Sequence, residues 1–304
     1  MLLRSRSSTS DLPSTKVVDQ GTAQGPLGKL REGINQLSHQ ADYAVLDRPE
    51  ILQFIFYPRR DWLPPPPGAS DFLVPVEEGV SISCRFYPAG DGSPCILYFH
   101  GNGEVACEHD WIAQLYGREG ISLFVADYRG YGLSDGLPSF ANVTADAHSI
   151  CSFFLDEVRP SGHGVPLFVM GRSLGSHCAV ELAFHYPERF RGLIVESGSS
   201  NIARLLELFG LTSERLSSLG EAITGRLRSI TLPALILHGE WDSLIPLDEA
   251  IKLHEDIGSQ EKRLVIVPGA DHNSIMAVGM EQYLAAVKEF VFGHCGATDK
   301  DGPA

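Results

Sequence analysis

Short, unbroken apolar runs along the chain alternate with longer stretches in which apolar positions recur every three or four residues. The runs at 94–99, 122–127, 166–170, 192–196, 233–237 and 263–267 have the length of strands buried on both faces. Helical spacing follows near 105–117, 140–158, 174–186, 247–257 and 277–291. Strands alternating with helices predict a parallel sheet covered on both sides. Two earlier runs, 71–76 and 81–87, are separated only by residues around Glu77-Glu-Gly-Val80. That link is too short for a crossover, so these two should form an antiparallel hairpin. The expected fold is therefore α/β, a mostly parallel eight-stranded sheet with helices on both faces.

One junction carries chemistry. Gly171-Arg172-Ser173-Leu174-Gly175 lies between the apolar run Pro166-Leu-Phe-Val-Met170 and a segment where Leu174, Cys178, Ala179, Leu182 and Ala183 share one helix side. A strand that turns into a helix at a serine between glycines is a nucleophile elbow. Side chains at the glycine positions would collide with the strand and the helix. An ordinary loop opening a helix would fit the bare pattern too. The strand before, the helix after and suitable partners downstream favour the elbow.

Serine becomes a nucleophile when a base takes its proton and an acid orients that base. In the order serine, acid, histidine, each partner should follow a strand. Pro233-Ala-Leu-Ile-Leu237 leads into His238-Gly-Glu-Trp-Asp242, and Arg263-Leu-Val-Ile-Val267 into Pro268-Gly-Ala-Asp271-His272-Asn273. Asp242 therefore reads as the orienting acid and His272 as the general base. Glu240 and Glu196 are alternative acids; Glu196 ends the run 192–196. His238 reads as packing at a strand end, and Asp271 as a turn residue beside His272. His177 falls four residues past Ser173 and is expected to face into the fold.

Acyl transfer also needs donors for the developing oxyanion. The backbone N–H of Leu174 is one. The loop His100-Gly101-Asn102-Gly103-Glu104 follows the strand 94–99, and its small residues assign the second donor to the N–H of Asn102, with Gly103 as the alternative.

Three local signatures occur in order: His-Gly-Asn-Gly at 100–103, Asp127-Tyr-Arg-Gly-Tyr-Gly-Leu-Ser134, and Gly-Arg-Ser-Leu-Gly-Ser at 171–176. As a set they resemble the serine-hydrolase branch of the α/β-hydrolase superfamily, over about residues 50–292. The resemblance implies the triad Ser173, Asp242 and His272 and no cofactor. It also implies an activity among carboxylesterases, lipases, thioesterases and peptidases.

The remaining composition narrows the class. With 304 residues, 43% of them hydrophobic, there is ample material for one large core. A tail at 1–28 is expected to be disordered, followed by one domain at 29–293 and a C-terminal tail at 294–304. The domain would include an arm at 29–70 and a short cap insertion at 198–230. Pro64–Pro67 read as a stiff spacer tying the arm down. In the cap, Leu205, Leu206, Leu208, Phe209 and Leu211 either line an acyl pocket or cover the helices below. A net charge of −14 opposes nucleic-acid binding. No apolar run is long enough to span a bilayer. Six cysteines without paired spacing (84, 95, 107, 151, 178 and 295) fit a reducing cytoplasm. No histidine spacing suggests a metal site.

The expected function is hydrolysis of a small-molecule or acyl-chain ester or thioester. A serine peptidase or protein-acyl thioesterase on the same triad, or a non-catalytic binding protein, are the alternatives.

Overall fold

A computed structural model of the chain describes residues 16–17, 42–158, 165–199, 201–208 and 210–296. Its strands are β1 (Lys16–Val17), β2 (Ser70–Glu77), β3 (Val80–Tyr87), β4 (Cys95–Phe99), β5 (Ser122–Ala126), β6 (Leu167–Arg172), β7 (Gly192–Glu196), β8 (Ala234–Gly239) and β9 (Lys262–Val267). They form one sheet in the order β1-β2-β3-β5-β4-β6-β7-β8-β9. The expected hairpin is there: β2 and β3 are antiparallel, turning at Gly79 with φ +72°. β3 also runs antiparallel to β5, and from β5 to β9 every pairing is parallel.

Sequence and structure differ in a few places. The sheet has a ninth strand, because Lys16 and Val17 pair parallel with Phe72 and Leu73 at its edge. Two residues of the expected N-terminal tail are thus in the sheet; the rest of 1–41 lies outside the described residues, as does 297–304. The helix expected at 105–117 is a tight turn at Ala106–His109 and then a helix, Asp110–Arg118. The helix expected at 140–158 is regular over Phe140–Phe153 and widens into a π turn at Phe154–Val158.

Among the described residues the helices are α1 (Pro49–Ile55), α2 (Asp110–Arg118), α3 (Phe140–Phe153), α4 (Ser176–His185), α5 (Ile202–Leu208), α6 (Glu214–Ser229), α7 (Leu247–Asp256) and α8 (Ile275–Gly293). Ser139 starts α3 and Ser213 starts α6 as capping residues, their hydroxyls accepting from the amides of Asn142 and Leu216. α8 is kinked at Gly279, where a Cβ would lie 2.4 Å from Val267 Cγ1. The helix can cross the end of β9 only because that side chain is missing.

Side chains alternate across the sheet and build a core on each face. Leu97, Phe99, Phe124, Val169, Val195 and Ile236 pack with α3, α4, α6 and α7. Ile96, Tyr98, Leu123, Phe168, Met170, Ile194 and Leu235 pack with α2 and α8. α5 and α6 occupy the expected cap segment. There Leu206 joins the first core, so it covers the helices below, whereas Leu211 is exposed. The side chains of Leu205, Leu208 and Phe209 lie outside the described residues.

A buried polar network ties α6 to α4. The Glu181 carboxylate accepts from Arg226, lies 3.0 Å from His185 Nε2 and 3.5 Å from His148 Nε2. Burial alone would raise the Glu181 pKa; the two imidazoles and Arg226 outweigh it and hold the carboxyl down at about 2.

The junction at Ser173 is shaped by the two glycines. A Cβ at Gly171 would sit 2.2 Å from the Gly175 carbonyl oxygen, and one at Gly175 would sit 2.1 Å from the Phe99 carbonyl oxygen. The first glycine lets the turn close on the strand; the second lets it sit against the neighbouring strand β4. Ser173 itself has φ +50°, a left-handed conformation that non-glycine residues seldom hold.

Two outcomes follow. Gly175→Ala places a methyl against main chain that cannot yield, so stability should fall by about 3 kcal/mol or more. That is a loss of roughly 6–12 °C in thermal midpoint for a domain of this size, measured by calorimetry. The second concerns His177, which packs inward against the Phe140 ring. Burial lowers its pKa to about 4. Below about 6.5 the unfolded chain binds a proton here that the folded chain refuses until about 4, so stability should drop as pH falls through that window. The full contribution is about 3 kcal/mol. Urea unfolding of His177→Leu should show a correspondingly flatter pH dependence between 7 and 4.

Candidate active site

The parallel strands deliver their carboxyl ends to one edge of the sheet, and three loops meet there. Ser173 follows β6, Asp242 follows β8 and His272 follows β9. Ser173 Oγ lies 3.0 Å from His272 Nε2, and His272 Nδ1 lies 2.7 Å from Asp242 Oδ2. All three come from distant parts of the chain.

The acid is itself held. Asp242 Oδ1 accepts from the amides of Leu244, at 3.0 Å, and Ile245, at 2.8 Å, which leaves Oδ2 to face the imidazole. A carboxylate only accepts, so His272 Nδ1 must carry the proton and Nε2 is free to accept the Ser173 hydroxyl proton. Asp242 and His272 are buried, so little water competes for these bonds. The two loops are tied by main-chain bonds from Trp241 to Ala270 and from Glu240 to Val267. Such an arrangement can activate a hydroxyl for attack on a carbonyl carbon.

The alternative residues stand elsewhere. The Glu240 carboxylate accepts from the Gly269 amide and is exposed. His238 is buried with Nε2 bonded to the Ile245 carbonyl. Its Nε2 also lies 3.5 Å from Asp242 Oδ2, behind the acid. The Asp271 carboxylate accepts from the Asn273 amide and the Ser274 hydroxyl, a local turn. Glu196 bonds Arg172 and Tyr283, not His272.

The loop after β4 lies beside the serine. A Cβ at Gly175 would also approach the His100 carbonyl, at 2.9 Å. The Asn102 side chain is turned into the N-terminal arm: Oδ1 accepts from the Tyr57 amide and the Tyr131 hydroxyl, and Nδ2 donates to the Ile55 carbonyl. Among the described residues the backbone N–H of Asn102 has no partner within the chain. The Asp127–Ser134 signature acts on this loop as a buttress. Asp127 Oδ1 accepts from the Ala106 amide and meets His100 Nε2 at 3.0 Å, and the Tyr128 hydroxyl donates to the His100 carbonyl. Burial disfavours a charged His100, but the hydrogen bond and charge of Asp127 win and raise its pKa above the usual value. Gly132, at φ +52°, leaves room for Asp127, whose Oδ2 would be 2.2 Å from an added Cβ.

Arg172 is a residue the sequence reading passed over. Its guanidinium bonds Glu104 and meets Glu196 Oε1 at 3.2 Å. It also donates to the His272 carbonyl and to Asn273 Oδ1, each at 2.9 Å. Burial pushes both carboxylates toward the neutral form. At Glu104, His109 and Arg172 outweigh it and hold the carboxyl well below its usual range; at Glu196 burial still wins and the pKa is raised. The available signal was a cation next to the serine and a carboxylate directly after the His-Gly-Asn-Gly run. A cavity of about 210 Å³ opens beside this cluster, lined by Arg172, Glu104, Glu196, Asn273, Trp111 and Tyr283 among others.

A metal site was not expected from the sequence, yet one group has the right donors. His148, Glu181 and His185 bring their ligand atoms within 4.8 Å of one another. The Glu181 carboxylate is already engaged by Arg226 and the two imidazoles, which accounts for the cluster as an ion-pair network. Among the described residues no helix is long and apolar enough to cross a membrane.

Comparison with known proteins agrees with this architecture. The family model described as serine aminopeptidase, S33, matches residues 92–212 and 211–276. An uncharacterised protein of Mycobacterium tuberculosis is 27% identical over 235 residues, covering 74% of this chain and 80% of that protein. Protein ABHD12B of Homo sapiens is 28% identical over 252 residues, covering 68% of each chain. Among solved structures, the Pyrococcus furiosus esterase Pf2001 superposes with a TM-score of 0.63 at 18% identity, covering 79% of this chain and 99% of that one. Est1E from Butyrivibrio proteoclasticus, solved with ferulic acid, gives 0.61 at 18% identity, covering 73% and 98%. The match spans more than half of the residues, including the loops that carry Ser173, Asp242 and His272: the chain belongs to the serine aminopeptidase, S33, family of α/β hydrolases.

Proposed function

We propose that this hydrolase cleaves an ester or thioester of a small-molecule or acyl-chain substrate through an acyl-enzyme on Ser173. The observation that carries the reading is the unbroken line from Asp242 Oδ2 to His272 Nδ1, at 2.7 Å, and from His272 Nε2 to Ser173 Oγ, at 3.0 Å. His272 takes the hydroxyl proton as Ser173 attacks the carbonyl carbon. Asp242 stabilises the imidazolium that forms. The amides of Leu174 and Asn102 receive the negative oxygen of the tetrahedral intermediate. Its collapse expels the alcohol or thiol, which takes the proton back from His272. Water then attacks the acyl-enzyme with the same base, releasing the acid and restoring Ser173. No cofactor enters the scheme. Six free cysteines, five of them buried, suit a reducing compartment such as the cytoplasm.

The family description supports a second reading, an aminopeptidase. Such an enzyme must recognise a free ammonium, most simply with a carboxylate beside the serine. Glu104 and Glu196 stand near, but both are already engaged by the Arg172 guanidinium. That favours the ester.

The test is a set of acyl p-nitrophenyl esters from acetyl to palmitoyl, acyl-CoA thioesters and aminoacyl-p-nitroanilides, together with a fluorophosphonate probe. Wild type should hydrolyse esters and label; Ser173→Ala should lose labelling and at least ~10⁴-fold in kcat. Asp242→Asn should lose about 10⁴-fold, because the amide favours the wrong imidazole tautomer. Equal labelling of wild type and Ser173→Ala would sink the nucleophile assignment. Faster turnover of the anilides than of any ester would replace the esterase reading by the peptidase one.

A further inference from the structure

Behind the serine, one guanidinium joins four segments that have to stay in register. Arg172 ends β6, immediately before Ser173. Its Nη1 bonds Glu104 in the loop after β4, and its Nε meets Glu196 at the end of β7. Its Nη2 donates to both the His272 carbonyl and the Asn273 side chain in the loop after β9. The Ser197 hydroxyl reaches the same His272 carbonyl, at 3.4 Å.

The partners are anchored in turn. Glu104 Oε2 accepts from the Gly101 amide at 2.9 Å, and Glu196 Oε2 accepts from Tyr283, whose hydroxyl lies 3.0 Å from that of Tyr116. The guanidinium also passes close over Gly101, where a Cβ would lie 2.3 Å from Arg172 Nη1. His272 is therefore gripped at both ends, its ring by Asp242 and its main chain by Arg172. The guanidinium is planar, permanently charged and forked, so it can serve two carboxylates and two neutral oxygens together.

We propose that Arg172 is a positioning residue: it holds the His272 loop and the 100–104 loop in mutual register, so that the imidazole and the Asn102 amide face Ser173 at once. This deepens the serine-hydrolase reading and rests on it. Arg172 touches no reacting atom. Its loss acts through misplacement, and a shift of about 1 Å in a positioned group can cost about a hundredfold in rate. The adjoining cavity of about 210 Å³ supplies a particular test, because a small cation can enter from outside and occupy the place that a truncated side chain leaves.

The experiment uses the full chain and the ester that it hydrolyses best. Arg172→Ala should lower kcat about a hundredfold with KM little changed. Guanidinium chloride at tens of millimolar should restore at least a tenfold gain; sodium chloride and urea at the same concentrations should not. Arg172→Lys, which keeps the charge but not the fork, should lie between Arg172→Ala and wild type. Unchanged kcat in Arg172→Ala overturns the proposal, and so does a loss that neither guanidinium nor lysine relieves. Should Arg172→Ala fail to fold, Arg172→Lys decides: reduced kcat at unchanged KM supports the proposal, and wild-type kcat overturns it. Fluorophosphonate labelling of wild type, absent in Ser173→Ala, establishes the nucleophile separately. If that labelling fails, the Ser173 reading falls on its own. The low-field Nδ1 proton of His272 then reads the Arg172 contact without activity: it should broaden or shift in Arg172→Lys, and an unchanged signal overturns the proposal.

Discussion

At the carboxyl edge of the sheet, strand β6 must stop and become a helix within three residues while pressed against its neighbour β4. Only a chain with no side chains at Gly171 and Gly175 can do so, because either Cβ would lie within about 2.2 Å of a carbonyl oxygen. The left-handed backbone of Ser173 is the result. Such a conformation is costly, and it persists because the strands, the helix packing and the adjoining loops over-determine it. The hydroxyl is thereby held within reach of His272.

Around that turn the conspicuous motifs have distinct physical duties. The 100–104 loop lies beside the serine and carries the amide assigned to the oxyanion. The Asp127–Ser134 segment does no chemistry in this scheme: Asp127 and Tyr128 brace the loop from below, and Gly132 leaves space for Asp127. Arg172, inside the Gly-x-Ser-x-Gly run, faces away from the hydroxyl and collects two carboxylates and the main chain of His272. Motifs that look like one signature in the chain thus divide between reacting and supporting roles. A cation shielded among carboxylates is stable only when its nitrogens find acceptors. Each of the three guanidinium nitrogens of Arg172 has at least one.

Much of the fold was legible because its elements announce themselves locally. Apolar runs of five or six residues become the central parallel strands, and the short link at 77–80 could only be a hairpin. The boundaries were less legible where local geometry depends on packing. The turn at 106–109 and the π turn at 154–158 interrupt stretches that have helical spacing throughout. The pairing of Lys16 and Val17 with β2 has no signature in two residues. In the cap, apolar composition alone could not separate a pocket lining from a core contact, and Leu206 lies in the core.

The sequence by itself determined the order of strands and helices and the serine turn, and it singled out His272 and Asp242, which the structure brings into line with Ser173. These depend on short-range periodicity and on sterics within a few residues. Only the tertiary structure decided that His238 and Glu196, which also end strands, are turned to other partners. The direction of a side chain at a strand end depends on which loop packs over it. It alone also showed Arg172 as the point where four segments meet. Its partners lie 68, 24 and 100 residues away along the chain, and no local pattern can reveal a contact closed by the topology of the sheet.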